Sequence, residues 1–299
     1  MTKLLLHRKM LLLIDGNAII HRAYHALPPL SANDGSPINA VYGFISMLLG
    51  VIQTLKPTHI IVAWDTPKPT FRHSQYSNYQ AQRPRGDSEL ISQFAIARKV
   101  LESMNIPQYS LEGFEADDVI GTIANQLTQY DQVNDIVIVT GDRDILQLVN
   151  DTKHISLYMP IKGLSNAKLY HELDVVDRMG VKADQIIDYK ALVGDPSDNY
   201  PGVAGIGEKT AINLLNQFGN VDQIYNNLHL IPDKYAKKLA EGAEPAGVSR
   251  MLATIVQDVP ITAKLDEASK WDVSSERTVK LFREIGFKTL TNRILNFKK

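Results

Sequence analysis

The sequence predicts an α/β domain built on a mostly parallel sheet, followed by a helical region. Three observations predict it. First, the apolar runs MLLLI (10–14), HIIVAW (59–64) and DIVIVT (135–140) are rich in Ile, Leu and Val and do not alternate with polar residues. That pattern suits strands covered on both faces. Second, helical patterns lie between these runs, and strand–helix–strand alternation argues a parallel sheet over roughly the first 170 residues. Third, from about residue 171 strand signals fade and short helical patterns take over.

Each element follows in order. The strand at 10–14 runs into Asp15-Gly16, and a short helix is expected at 17–26. That helix carries His21 and His25 four residues apart, a spacing that can hold zinc, but no third ligand is apparent. In 38–55, Ile38, Val41, Phe44, Ile45, Leu48, Leu49, Ile52 and Leu55 recur three or four residues apart, which marks one helical face. The second strand closes on Asp65. Residues 66–86, TPKPTFRHSQYSNYQAQRPRG, then break the rhythm with Pro, aromatics and Arg interleaved, too long for an ordinary strand-to-helix loop. Gln108–Leu111 reads as the end of another strand. It leads to a helix over 115–128 with Val119, Ile120, Ile123, Ala124 and Leu127 on one face. The third run ends near Asp142 and Asp144. The last region, from about 175, is punctuated by the loop GDPSDNYPGVAGIGEKT (194–210).

Composition narrows the function classes. The chain has 299 residues, 44% hydrophobic and 22% charged, with a formal net charge of −1. There is no global basic field, so any nucleic-acid binding must use local patches. The absence of cysteine removes disulfides, thiolate zinc sites and cysteine nucleophiles together. The start, MTKLLLHRKMLLLIDG, is basic and apolar but has no small-residue cleavage site, and its apolar run is short. No run approaches the roughly 20 apolar residues of a spanning helix. A soluble, cytoplasmic protein with no membrane role is expected.

Acids follow each strand: Asp15 after the first, Asp65 after the second, Asp142 and Asp144 after the third. The helix at 115–128 opens with Glu115, Asp117 and Asp118. In a parallel sheet the C-terminal strand ends share one edge, where ligand sites form. The loop acids Asp195 and Asp198 bring the set to nine. Singly, each has a plain structural reading as a turn former, a helix N-cap or a partner of the helix dipole. Together they would repel one another unless something positive sits among them. With no thiolate, and no histidine inside the acidic motifs, an all-oxygen cage points to Mg²⁺ or Mn²⁺ rather than zinc. Two or more such ions, about 3.5–4 Å apart, suit phosphodiester hydrolysis.

GVAGIGEKT (202–210) is not a Walker A loop, because Glu208 separates Gly207 from Lys209. It reads better as the turn of a helix–hairpin–helix. Gly205 and Gly207 would let the backbone approach a phosphate, and Lys209 would add charge at a helix N-terminus. An ordinary Gly-rich helix–helix turn is the plain alternative. In 66–86, Lys68, Phe71, Arg72, Tyr76, Tyr79, Arg83 and Arg85 suit single-stranded nucleic acid, where bases stack and phosphates pair.

The runs IDGNAIIHRAYHALPPL, AWD, FRH, GFEADDVIGTIA, VTGDRDILQLV and ALVGDPSDNYPGVAGIGEKTA resemble the 5′ nuclease domain of bacterial DNA polymerase I, within the flap endonuclease superfamily. The resemblance runs in order over nearly the whole chain and does not extend to the polymerase or proofreading parts, so a stand-alone member and the nuclease part of a larger polymerase both stay open. It implies a PIN-like nuclease domain over 1–174 with a helical arch at about 66–93. It also implies a duplex-binding helical region over 175–299 with a helix-3-turn-helix. By matching motifs it makes Asp15, Asp65, Glu115, Asp117, Asp118, Asp142 and Asp144 metal ligands, direct or through water, with Asp195 and Asp198 the outer acids of a second position. Arg22 resembles a residue near the scissile phosphate, and Arg83 resembles the arch arginine. Lys68, Arg72 and Tyr79 fall in the DNA-contacting arch. Gly202, Gly205, Gly207 and Lys209 fall on the duplex-gripping hairpin, where a potassium ion on the 202–207 carbonyls is implied. Two positions depart from the family. Gln80 stands where an arch lysine is usual, so it can hydrogen-bond a phosphate but carries no charge. His21 stands where a stacking tyrosine is common. The implied activity is a structure-specific 5′ nuclease of replication and repair. It would act as a monomer on DNA with 5′ flaps or 5′ ends, and on RNA primers in RNA–DNA hybrids. The alternative is a flap-binding protein that cuts weakly because of Gln80.

Overall fold

The computed structural model describes residues 8–82, 87–128, 133–162 and 166–297. The first half contains β1 (Met10–Asp15), α1 (Gly16–Ala26), α2 (Asn39–Leu55), β2 (His59–Ala63), α3 (Phe71–Gln75), α4 (Ser88–Ser103), β3 (Gln108–Tyr109), α5 (Ala116–Thr128) and β4 (Asp135–Val139). The hairpin β5 (Ile155–Lys162) and β6 (Asn166–Tyr170) follows. The helices after it are α6 (Glu172–Met179), α7 (Ile186–Val193), α8 (Glu208–Phe218), α9 (Val221–Asn226), α10 (Asp233–Glu241), α11 (Ala243–Ala253), α12 (Leu265–Ala268), α13 (Glu276–Ile285) and α14 (Lys288–Leu295).

The sheet order is β3-β2-β1-β4-β5-β6. All neighbours are parallel except the β5–β6 pair. Sequence periodicity foresaw β1, β2 and β4 but not the β5–β6 hairpin. Pro160 lies where its register shifts, and a proline without a ladder donor is tolerated at such a point. β1 sits between β2 and β4, so the chain steps first to one side of it and then to the other. The carboxyl end of β1 is therefore the switch point at which open α/β sheets bind ligands.

The non-alternating strands are explained by two cores. Leu11, Leu13, Ile61, Ile136 and Ile138 lie on one side in a core shared with α5, α7 and α8. Leu12, Ile14, Ile60, Val62 and Val137 face α1, α2 and α4 on the other. Successive strand residues point to opposite faces, and both faces are covered. Gly16 shows how tight the second side is: a Cβ there would strike the fully buried Trp64 ring.

The region expected over 175–299 packs against two different cores. Trp271, Val273, Phe282, Phe287, Leu290 and Ile294 join the core of α1, α2 and α4. The Trp271 indole N–H donates to the Thr58 carbonyl at 3.2 Å. Residues from about 271 on thus complete the N-terminal sheet domain, since α2 and α4 would otherwise leave apolar surface in water. Of the expected arch (66–93), the structure describes α3, the turns to residue 82 and the start of α4. Among the described residues, no helix is long and apolar enough to cross a membrane.

Candidate active site

Asp15 ends β1, Asp65 lies two residues beyond β2, and Asp142 lies three beyond β4. With α5 starting on the same edge, these segments close around a cleft of ≈670 Å³. Asp15, Asp65, Glu115, Asp117, Asp142, Asp144 and Asp198 all line it. Asp195 lines an adjoining pocket of ≈560 Å³, which shares Asp142 and Asp144 and also contains Arg22. One oxygen each of Asp144, Asp195 and Asp198 fall within 4.8 Å of one another. Eight of the nine predicted acids therefore gather at one sheet edge.

The structural and functional readings of these acids coincide. Asp15 caps α1 through the Ala18 N–H at 2.9 Å, and its other oxygen accepts from the Thr140 hydroxyl at 2.7 Å. Thr140 also accepts the Asp142 N–H at 3.0 Å, which ties the ends of β1 and β4 together. Asp65 accepts the Ala116 N–H at 2.7 Å and so fixes the start of α5 to the end of β2. A carboxylate offers about four lone-pair sites, so a capping bond does not exclude a second partner.

Burial, and crowding after it, raises the acids' proton affinity. Burial pushes the Asp15 carboxyl up to about 7 despite the Ala18 hydrogen bond, with Asp65 adding to the rise. Burial also pushes Glu115 up to about 7, only partly opposed by Arg72. Burial, then Asp142, raises Asp144 to about 7 against the pull of Lys190. Asp117 is raised well above the usual carboxylate range by burial, then by Asp142 and Asp15. Asp195 goes the other way: burial alone would raise it, but Lys190 and Ser197 hold it below the ordinary value.

Asp118, expected as a metal ligand, is placed differently. It is fully buried and takes the Arg72 guanidinium on both oxygens, at 2.7 and 2.8 Å. It also accepts the N–H groups of Glu115 and Val256. Arg72, expected to touch DNA, is 2% exposed and additionally donates to the Leu252 and Thr254 carbonyls. The pair ties α3, α5 and the segment after α11 together, because a buried charge without a partner would be expensive. Tyr79, another expected DNA contact, is 3% exposed, and its hydroxyl donates to Glu115 at 3.2 Å and Asp198 at 3.3 Å. Gly202 is also buried; a Cβ there would overlap Gly194, so close packing rather than phosphate contact demands glycine.

The other predicted residues sit where a ligand could meet them. His21 and Lys68 line the cleft; His21 packs edge-on against Phe94, and Lys68 pairs with the exposed Glu112 at 2.7 Å. Gln80 turns inward and its side-chain amide donates to Asp198 at 3.1 Å. Gly205, Gly207 and Lys209 are exposed where α8 begins, and Lys238 donates to the Gly205 carbonyl at 3.1 Å. Arg83 lies outside the described residues. Sequence reasoning missed Lys190, whose ammonium donates to both Asp144 and Asp195. Its signal was visible in KALVGD, a lysine one helical turn and a glycine before an acid.

A mostly parallel sheet with acids on its carboxyl edge, followed by a helix–hairpin–helix, defines a PIN-like nuclease fold. The chain belongs to the 5′-3′ exonuclease family. Residues 10–180 match the family's N-terminal resolvase-like domain, and residues 181–276 match its C-terminal SAM fold. The chain is 39% identical over 288 residues to DNA polymerase I of Bacillus caldotenax, covering 96% of this chain and 32% of that protein. It is 39% identical over 262 residues to a 5′-3′ exonuclease of Bacillus subtilis, covering 86% of this chain and 87% of that one. The chain thus spans about a third of the polymerase relatives it matches. A T5 5′-exonuclease structure with bound divalent zinc ions aligns with a TM-score of 0.68 at 24% identity, over 96% of this chain and 98% of that one. At that identity the likeness speaks for the fold.

Proposed function

We propose that the protein is a structure-specific 5′ nuclease. It hydrolyses phosphodiesters at 5′ flaps and 5′ ends of DNA, and at RNA primers, in replication and repair. The single observation that carries this reading is the meeting of seven carboxylates in one cleft at the switch point of the sheet. The donor set fits hard divalent cations. It is all oxygen, and burial raises Asp15 and Asp117, for which no ion pair exists among the described residues. Asp15, Asp65, Glu115, Asp117 and Asp142 would hold one Mg²⁺ or Mn²⁺, and Asp144, Asp195 and Asp198 a second. Such ions supply charge neutralisation at the phosphate and a water acidic enough to attack near neutral pH.

The chain's own residues do the rest. Lys68 and His21 are exposed residues lining the cleft and would meet an entering 5′ strand, and Arg22 lines the adjoining pocket. Gly205, Gly207 and Lys209 present backbone and charge to a duplex phosphate without reading bases. A potassium ion on the 202–207 carbonyls belongs to this reading, with Lys238 already on Gly205. Thr140, Asn17 and Tyr79 fix the acids in place through hydrogen bonds and need no proton transfer of their own.

One observation supports the rival, a flap-binding protein that cuts weakly: Gln80 spends its amide on Asp198 instead of reaching outward. A labelled 5′-flap duplex with Mg²⁺ separates the two. The nuclease reading expects wild type to cut far faster than Asp142→Asn at equal flap binding. Equal, near-zero rates for both proteins would leave the binding reading standing.

A further inference from the structure

Lys190 lies in α7 and is a cation inside the acidic edge that the metal reading leaves without a role. Its side chain is 11% exposed, and its ammonium donates to one oxygen of Asp144 and one of Asp195. Those two acids and Asp198 have the spacing of ligands around one cation. The chain therefore answers their charge with its own ammonium. Asp198 is steadied from the other side by Gln80 and Tyr79.

A second observation concerns Tyr200, five residues beyond Asp195. It is 3% exposed, and its hydroxyl is buried with no hydrogen-bond partner among the described residues. A buried hydroxyl without a partner is uncommon because it forfeits its hydration for nothing. This hydroxyl lies within electrostatic reach of Lys190, Asp144 and Asp195.

We propose that Lys190 is a tethered counter-cation that holds the Asp144–Asp195–Asp198 position until a divalent ion displaces it, the Tyr200 hydroxyl then accepting its ammonium. The inference rests on the cleft being a divalent-metal site, and it adds the order of loading. An ion entering beside Asp15, Asp117 and Asp142 meets carboxylates that no ion pair answers among the described residues. An ion entering beside Asp144 and Asp195 must also move a positive charge that already has two acceptors. The second position therefore fills at a higher concentration, and Tyr200 lowers that barrier by giving the displaced ammonium a partner.

The test is Mn²⁺ binding to the DNA-free protein by calorimetry and electron paramagnetic resonance, in wild type, Lys190→Met, Lys190→Arg and Tyr200→Phe. Wild type should show a tighter and a weaker ion. Lys190→Met should tighten the weaker one by at least about tenfold, because a charge repulsion at contact distance is removed. It should leave the tighter one unchanged, and Lys190→Arg should stay near wild type. Tyr200→Phe should weaken only the second ion. Should Lys190→Met fold poorly, Tyr200→Phe decides: an unaltered second affinity overturns the proposal. So does Lys190→Met with both affinities at wild-type values. A wild type that binds no Mn²⁺ at all would instead sink the metal-site reading beneath it.

Discussion

At one end of the cleft, Asp15 and Asp117 face each other's charge with no ion pair among the described residues, and both carboxyls are pushed upward. Behind that wall, Asp118 has the same charge and deeper burial, yet Arg72 answers it with two hydrogen bonds. Adjacent residues in one helical turn thus differ in what completes them. Asp118 is completed by the chain and holds the architecture together. Asp117 has no ion pair among the described residues, and under the proposed function a divalent cation completes it. The contrast teaches that burial and charge do not by themselves mark a functional acid; what matters is whether the fold supplies the counter-charge.

Substitutions at the two kinds of acid should fail differently. Asp117→Asn should remove Mg²⁺-dependent cleavage of a flap substrate by more than about 100-fold, since even outer-shell changes at metal sites cost 10–100-fold. The same protein should melt no lower than wild type in chelator, because it loses a repulsive charge. Arg72→Met should do the reverse to stability. It strands Asp118 and should cost about 3–5 kcal/mol in urea unfolding. Pairing it with Asp118→Leu should restore much of that loss. If Arg72→Met proves as stable as wild type, the assignment of the pair to architecture is wrong.

Acidity sharpens the comparison further. Asp15, Glu115 and Asp144 have folded-state values of about 7, against about 4 in an unfolded chain. Between those values the folded protein binds more protons than the unfolded one, so stability falls as pH rises from about 4 to about 7. In chelator, the melting temperature should therefore drop over that range and stay low above it. Added Mg²⁺ should raise it most at the alkaline end, where these carboxyls are ionised. A melting temperature flat from pH 5 to 8 would argue that these carboxyls are neither buried nor crowded as the structure has them. The smallest effect belongs to the hairpin. Lys209→Ala should weaken duplex binding evenly across sequences and lower the salt slope by about one.

Much of this was legible in the chain. The runs at 10–14, 59–64 and 135–140 became β1, β2 and β4 almost to the residue, because strands buried on both faces write themselves as unbroken apolar runs. Acids at strand ends gave the site edge for the same topological reason. The edge hairpin was not legible, since β6 is half exposed and mixed in composition. Nor was the return of α13 and α14 to the N-terminal core, because an amphipathic helix announces an apolar face and not its partner. The pairing of Arg72 with Asp118 was not legible either, for a related reason. Their pairing joins residues 46 positions apart, and a charged side chain in a polar loop reads as exposed until packing is known.

The central claim is that the acids at the carboxyl edge of the sheet hold divalent cations. Crystals soaked in Mn²⁺ and measured for anomalous scattering test it most directly. The account predicts a peak bounded by Asp15, Asp117 and Asp142, a weaker one beside Asp144, Asp195 and Asp198, and none at Asp118. Peaks confined to surface carboxylates elsewhere, with the cleft bare at saturating Mn²⁺, would contradict it.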